Sequence, residues 1–300
     1  MKRRLIVIAL CALMAPMALI AGASAQSLKD VLAKLTVAWN TPTEPLTVIG
    51  NIHYVGTNGL ASYLITTPSG HFLVDTGLPE ANPQIKANIA KLGFKVADIK
   101  YLLNTHAHFD HTGGLAELKK ETGAKLVAGA RDKPLLEGGY YPGQESVQDL
   151  KFAPVKVDRA VSNGDTVTLG GVTLTAHATP GHSPGCTSWS LKVKDGTSTH
   201  SALIFCSATV ALNALVFAPT YPGIVEDYKK TFAWAKKAKT DVFLAPHPEM
   251  FGLAEKRSKI AEGAPNPFVD AAAFGTYIAG LEKAFEEALA KQTAASKVNK

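Results

Sequence analysis

Residues 106–111 read His-Ala-His-Phe-Asp-His, three imidazoles and one carboxylate within six positions. Histidines packed this closely repel one another when protonated, so they need a shared reason: a metal ion, a proton relay or a solvated loop. A metal ion removes the repulsion, because each ring must be neutral to ligate. Two further histidines share a placement with this segment. His182 lies in Thr-Pro-Gly-His-Ser-Pro-Gly (179–185) and His247 in Ala-Pro-His-Pro (245–248). All three segments follow a run that reads as a β-strand, and strand ends that gather at one rim are where loops carry chemistry. The candidates divide into a three-histidine group, His106, His108 and His182, and a second group, Asp110, His111 and His247. Zinc takes imidazole nitrogen and carboxylate oxygen and keeps a position open for water in catalytic sites. Two zinc ions sharing one hydroxide supply a strong nucleophile near neutral pH. Gly113 and Gly114 let the backbone pass close to the metals and let a helix begin. His53, His71 and His200 have no such support and read as surface or packing residues; His177 reads as a strand residue supporting the site.

The elements that must position these residues follow from periodicity. A short helix is expected over 27–35, then an irregular lead-in broken by Pro42 and Pro45. Strand signals at 46–50, 52–56, 61–67 and 71–77, separated by Gly, Asn and Pro turns, predict an antiparallel meander. Ile85, Ile89 and Leu92 lie at helical spacing. Strands are expected at 99–105, 125–129, 171–179, 187–193, 201–207 and 241–245, with helices at 114–123 and 224–237. Residues 136–153, rich in Gly, Tyr and Pro, read as a long surface loop. In 270–291, Phe274, Ile278, Leu281, Phe285 and Ala288 share one helical face that should dock on the core. Strands bracketed by helices imply an α/β class with two sheets packed face to face. No composition shift or linker divides residues 26–300, which are expected to form a single domain.

The first residues bear on compartment. Lys2, Arg3 and Arg4 precede an apolar stretch from Leu5 to Ile20, and Ala-Ser-Ala precedes Gln26. This is the pattern of a secretory signal peptide over 1–25, cleaved after Ala25, which predicts a soluble periplasmic protein with no membrane association after cleavage. Of the 31 basic and 25 acidic residues, removal of the leader leaves 28 against 25, a net +3. No basic tract with interleaved aromatics is present, so nucleic acid is not an expected partner. Cys11 leaves with the leader, and Cys186 and Cys206 remain as a disulfide, as zinc ligands or as buried thiols.

With these residues in view, "THAHFDHTGG", "TPGHSPG" and "APHP" resemble the metallo-β-lactamase superfamily, over nearly all of residues 39–290. "WNTPTEPLTVIGNIHYVGTNGLASYLITT", "GHSPGCTSW", "YPGIVEDYKKTF" and "LAPHP" resemble subclass B3 in particular. The resemblance implies an αββα sandwich of two mixed sheets flanked by helices, the same six ligands, and two Zn2+ ions per chain. It implies an enzyme that opens the β-lactam amide of penicillins, cephalosporins and carbapenems by a zinc-bridging hydroxide, conferring antibiotic resistance, with Asp110 holding and orienting that hydroxide. The expected partner is a small-molecule β-lactam, and the expected state a monomer. "LVDTGLP" (73–79) matches the family's strand-end aspartate motif, so Asp75 is expected to support the metal-site loop.

Relatives such as lactonases and glyoxalase II-type thioesterases carry a bridging aspartate on the strand ending near residue 207, where this chain reads "LIFCSATV" without an acid. Subclass B1 places a zinc-binding cysteine there and a lysine three residues on; Ser207 and Val210 stand at those positions. Diiron relatives need an acid in place of His108. Cys206 falls one residue before the matched position, so its side chain should face the other way, toward Cys186 at the start of the neighbouring strand. A Cys186–Cys206 disulfide is therefore expected. Ser207 and Thr209 match the subclass's hydroxyl-bearing positions and are expected to bind the substrate carboxylate, with Asn213 donating to the carbonyl oxygen. The alternatives are another dinuclear zinc hydrolase on this scaffold, such as a lactonase, or a non-catalytic periplasmic zinc-binding protein.

Overall fold

The computed structural model describes residues 25–298. The segment assigned to a signal peptide lies outside the described residues except for Ala25. The chain opens with α1 (Ala25–Trp39), and a meander follows: β1 (Leu46–Ile49), β2 (Ile52–Tyr54), β3 (Tyr63–Thr67) and β4 (Gly70–Val74). Three crossovers then add parallel strands: α2 (Asn82–Lys91) leads to β5 (Ile99–Leu103), α3 (Phe109–Thr112) and α4 (Leu115–Thr122) lead to β6 (Lys125–Gly129), and α5 (Lys133–Gly138) leads to β7 (Arg159–Val161). These make a seven-stranded sheet in the order β1-β2-β3-β4-β5-β6-β7. The second half contributes β8 (Thr166–Leu169), β9 (Val172–Ala178), β10 (Thr187–Asp195), β11 (Ser198–Ile204) and, after α6 (Ile224–Ala235), β12 (Val242–Leu244). They form a five-stranded sheet, β12-β11-β10-β9-β8. The chain ends with α7 (Leu253–Ala261) and α8 (Ala273–Val298).

Strand alternation explains the layering. In the larger sheet, Tyr63, Ile65, Phe72, Val74, Leu103 and Val127 face inward onto Leu174, Trp189, Leu191 and Ile204 of the smaller sheet. Leu64, Leu73, Leu102 and Leu126 face outward onto Ile85 and Ile89 of α2 and Leu115 and Leu118 of α4. Strands β4–β6 are thus buried on both faces and read as near-continuous apolar runs, as parallel strands do. On the other side, α6 and α8 meet through Tyr228 and Phe285, their rings stacked 4.9 Å apart.

Strand direction creates the rim. β4, β5 and β6 pair in parallel, so their C-terminal ends lie together. In the smaller sheet, β11 is parallel to β12, and β9 and β11 both run antiparallel to the β10 between them. The sheets are joined at this rim by main-chain bonds. Thr187 N donates to Thr105 O at 2.8 Å, and Ala61 N to Pro246 O at 2.8 Å. The Trp189 indole N–H donates to Asn104 O at 3.2 Å, and the Tyr63 hydroxyl to Ala245 O at 2.6 Å.

Residues 136–153 depart from the expected surface loop. They begin inside α5, and Leu136, Tyr141, Leu150 and Phe152 are buried. Pro134 opens that helix and Gly139, at φ +72°, closes it. The chain then packs back, with Phe152 N bonded to Gly139 O and Val155 N to Leu136 O. β7, β8 and α7 were not anticipated: the two strands are three and four residues long and largely exposed, too short for a periodicity to stand out. Among the described residues no helix is long and apolar enough to cross a membrane.

Candidate metal centre

The six residues singled out by type and spacing converge at the rim. His106, His108 and His182 bring ligand-capable atoms within 4.8 Å of one another, and so do Asp110, His111 and His247. Ring centroids separate His106 from His108 by 4.5 Å, His108 from His182 by 4.5 Å, and His111 from His247 by 4.9 Å. His106 and His111 lie 4.4 Å apart and connect the two groups. The His-Ala-His-Phe-Asp-His segment achieves this by following a bend at Thr105 past the end of β5, with His108 in extended backbone, and then entering the single turn of α3, which swings Asp110 and His111 back over the rim. Gly113 and Gly114 let this turn pack closely against Pro79 and Asn82. A Cβ on Gly113 would lie 2.4 Å from Pro79 Cδ, and one on Gly114 2.2 Å from Asn82 Oδ1.

The surroundings dictate which ring nitrogens point inward. Asp75 accepts from Asn104 Nδ2 at 3.0 Å, from Thr105 N at 2.8 Å and from the Thr105 hydroxyl at 2.6 Å. That hydroxyl has one proton, donated to Asp75, so it can only accept from His106 Nδ1, 2.9 Å away. His106 therefore carries its proton on Nδ1 and presents a bare Nε2. His182 Nδ1 lies 2.7 Å from Thr209 O, an acceptor only, so its Nε2 is bare as well. His247 Nδ1 faces Gly59 O at 3.3 Å, and its Nε2 lies 3.4 Å from Asp110 Oδ2. Asp110 Oδ2 also lies 3.2 Å from His111 Nε2. His106 Nε2, His108 Nε2 and His111 Nδ1 are buried without any hydrogen-bond partner. Buried polar atoms in native proteins are ordinarily paired, and a cation is what bare imidazole nitrogens around one carboxylate would satisfy. Five histidines and an aspartate form a donor set suited to zinc.

Electrostatics separates the groups. Burial, reinforced by neighbouring imidazoles, holds His106 and His108 well below the ordinary histidine range. Burial likewise pushes His182 down to about 4. These rings are neutral at physiological pH, as ligation demands. In the second group burial acts on His247 in the same direction, but the Asp110 carboxylate outweighs it and holds His247 above its ordinary value. Burial would raise Asp110, yet His111 and His247 together hold it well below the usual carboxylate range.

Cys186 and Cys206 form the expected disulfide, with Cα atoms 5.9 Å apart. Their sulfurs lie near His106, but bonded to each other they offer no thiolate, which disposes of the zinc-ligand option. Ser207 and Thr209 sit beside His182, their hydroxyls 3.2 Å apart. Asn213 is placed differently from the expected carbonyl-oxygen donor. It is buried, and its amide hydrogens face His182 O at 3.0 Å, Gly181 O at 3.4 Å and the Tyr228 hydroxyl oxygen at 3.0 Å. In this structure it supports the loop of His182 and presents no free donor to the rim. Asp75 has the supporting role expected of it. His177 does not: it bonds to Ser190 at 2.7 Å and packs on Trp234.

Three residues escaped the sequence reading. Tyr141 stacks on His108 with centroids 3.9 Å apart; only the Tyr140-Tyr141-Pro142 cluster within a glycine-rich stretch hinted that this segment has a core. Trp39, at the end of α1, packs 5.6 Å from His247 and 6.2 Å from Phe109, walling the second group. Tyr228 lies on the buried face of α6, and its hydroxyl donates to Thr209 O at 2.8 Å, the carbonyl that orients His182.

Comparison with known proteins adds to this geometry. The family model of the metallo-β-lactamase superfamily matches residues 56–247. The chain is similar to BJP-1, a subclass B3 metallo-β-lactamase of Bradyrhizobium japonicum, at 62% identity and a TM-score of 0.85, over 87% of this chain and 98% of that one. It is similar to the FEZ-1 metallo-β-lactamase from Legionella gormanii at 40% identity and a TM-score of 0.81, over 84% of this chain and 98% of that one. A hydroxyacylglutathione hydrolase of Rhodopseudomonas palustris is 36% identical over 120 residues, 40% of this chain and 38% of that protein. The chain thus spans about two fifths of the length of the first curated relatives it matches.

Proposed function

Because the chain belongs to the metallo-β-lactamase superfamily, we propose that it is a zinc-dependent β-lactamase of subclass B3, hydrolysing penicillins, cephalosporins and carbapenems. The observation that carries this reading is the meeting of His106, His108 and His182 with Asp110, His111 and His247 at one rim, in a chain that covers 98% of a subclass B3 enzyme at 62% identity. When bound, two zinc ions would polarise the lactam carbonyl and supply an activated water as nucleophile.

The protein's own residues do the rest. The three neutral histidines would hold one ion and the second group the other, with Asp110 the one carboxylate among them. That carboxylate orients the attacking water and accepts its hydrogen bond. The Ser207 and Thr209 hydroxyls, beside His182, receive the substrate's carboxylate. Tyr141 and Trp39 wall the centre on two sides, which lowers the local dielectric and strengthens each charge interaction within it. No serine or cysteine nucleophile is needed. Phe205, Cys206 and Ser207, which follow β11, include no carboxylate, which favours a lactam over the lactone or thioester substrates of relatives with an aspartate there. We place the mature protein, from Gln26, in the periplasm as a monomer, where it would protect the cell from β-lactam antibiotics.

The test is hydrolysis of one penicillin, one cephalosporin and one carbapenem by zinc-replete protein, with and without chelator. Turnover abolished by chelator and restored by zinc is expected. Turnover of a homoserine lactone with none of any β-lactam would replace this reading with a lactonase. Stoichiometric zinc without any hydrolysis would replace it with a binding protein.

A further inference from the structure

Asp132 lies between the two loops that supply the three-histidine group. It stands at the N-cap of α5, where an aspartate ordinarily accepts from the first N–H groups of its own helix, yet it makes no such bond. Its carboxylate turns away from the helix. Oδ2 accepts from Ala107 N at 2.9 Å and from the Ser183 hydroxyl at 2.6 Å, and Oδ1 accepts from Gly185 N at 2.6 Å. Ala107 lies between His106 and His108, and Ser183 follows His182. One side chain thus holds main chain from both ligand loops, and it is only 1% exposed. The approach is built for this contact. A Cβ on Gly185 would lie 2.2 Å from Asp132 N, and one on Gly129 would lie 2.1 Å from Gly185 O. All three hydrogen bonds to its carboxylate come from the two loops, which satisfy it.

We propose that Asp132 is a positioning residue that holds the His106–His108 loop and the His182 loop at the spacing one metal ion requires, and that it acts on this ion and not on the ion of the second group. The inference rests on the metal-site reading above. The carboxylate of Asp132 bonds to Ala107, Ser183 and Gly185 and to none of Asp110, His111 and His247, which their own carboxylate holds together.

The isosteric variant Asp132→Asn separates this role from bulk. An amide in place of either oxygen sets a donor against a donor: Nδ2 in the Oδ2 position opposes Ala107 N–H, and in the Oδ1 position it opposes Gly185 N–H. Either way one ligand loop loses its main-chain anchor. Ser183→Ala removes only the hydroxyl and leaves both main-chain bonds intact.

The two zinc affinities are to be measured by competition with a chromophoric chelator, with imidazole 15N resonances assigning each ion to its histidines. The melting temperature of the metal-free protein is measured alongside. In Asp132→Asn the ion on His106, His108 and His182 should bind about tenfold or more weakly, the range seen when residues supporting metal ligands are removed. The ion of the second group should keep its affinity, while the metal-free protein, with one buried N–H left facing a donor, should melt a few degrees lower. Ser183→Ala should shift the same ion less. Unchanged affinity at both positions would overturn the proposal, and so would equal weakening of both ions. If the unsubstituted protein takes up no zinc, the metal-site reading itself fails and this inference with it.

Discussion

Two sets of buried histidines can be compared within the larger sheet and its rim. His53 on β2 and His71 on β4 flank the Phe94 ring, each 5.2 Å from it. Burial lowers both, His53 to about 4, as it lowers His106, His108 and His182 at the rim. The difference is in their partners. His53 meets the Thr47 hydroxyl at 3.1 Å and the Thr66 hydroxyl at 3.4 Å, and His71 Nδ1 accepts from Thr67 N at 3.4 Å. No carboxylate hydrogen-bonds to either ring. At the rim, His106 Nε2, His108 Nε2 and His111 Nδ1 are left without partners. A buried histidine with ordinary partners is a packing residue. A buried histidine with a bare nitrogen facing other bare nitrogens is built to receive something. Burial and a lowered pKa do not distinguish the two; the census of partners does.

The comparison is tested most severely at Asp110. It supplies the one negative charge among the six rim residues, bonded at 3.2 and 3.4 Å to His111 and His247. Asp110→Asn keeps the shape and removes the charge. Turnover should fall by about 10²–10³-fold, the scale of losing a positioned acid–base or charge-stabilising group, and bound zinc should fall from two toward one. Hydrolysis of a carbapenem at the unsubstituted rate would refute the role given to Asp110. A smaller effect is expected at Thr105, whose hydroxyl passes the orienting influence of Asp75 to His106. Thr105→Val keeps the volume but leaves His106 Nδ1 without an acceptor. Chelator competition should show zinc held about 10–100-fold more weakly. Unaltered affinity would mean that burial alone fixes the ring and that the bridge is incidental.

These residues also show what could be read from the chain. The convergence of the six rim residues was legible because each falls just past a run that reads as a strand, whereas the parallel pairing of β4 with β5 was not, since 71–77 read as the last strand of an antiparallel meander. The disulfide followed from the resemblance, which put Cys206 one residue before the matched ligand position and beside the strand that begins near Cys186. What stayed hidden depends on contacts made only after folding. Tyr141 is held by the return of 152–155 onto α5, a packing that no periodicity within 136–153 expresses. Asp132 looks like an ordinary helix cap until the loops at 107 and 183–185 are brought to it. Asn213 has the chemistry of a substrate donor, and only the positions of Gly181, His182 and Tyr228 show its amide hydrogens to be occupied.

The gentlest test lies on the packing side. His53→Gln keeps a polar side chain near Thr47 and Thr66, and His53 belongs to neither rim group, so zinc content and turnover should not change. Stability should change, and in a way that depends on pH. His53 is held at about 4 in the folded protein, against about 6.5 for an unfolded histidine. Between those values the unfolded chain binds the extra proton, so the contribution of His53 is fully present above pH ~6.5 and is lost as pH falls toward ~4. One proton's difference gives a slope of at most about 1.4 kcal/mol per pH unit. Urea unfolding of zinc-loaded protein at pH 7 and at pH 5 should show a smaller loss of stability in His53→Gln than in the unsubstituted chain, because glutamine cannot take up the proton. Equal losses would show that His53 does not titrate as its burial requires. A fall in bound zinc would show that the two sets of histidines are coupled and that the partner census draws the line between them in the wrong place.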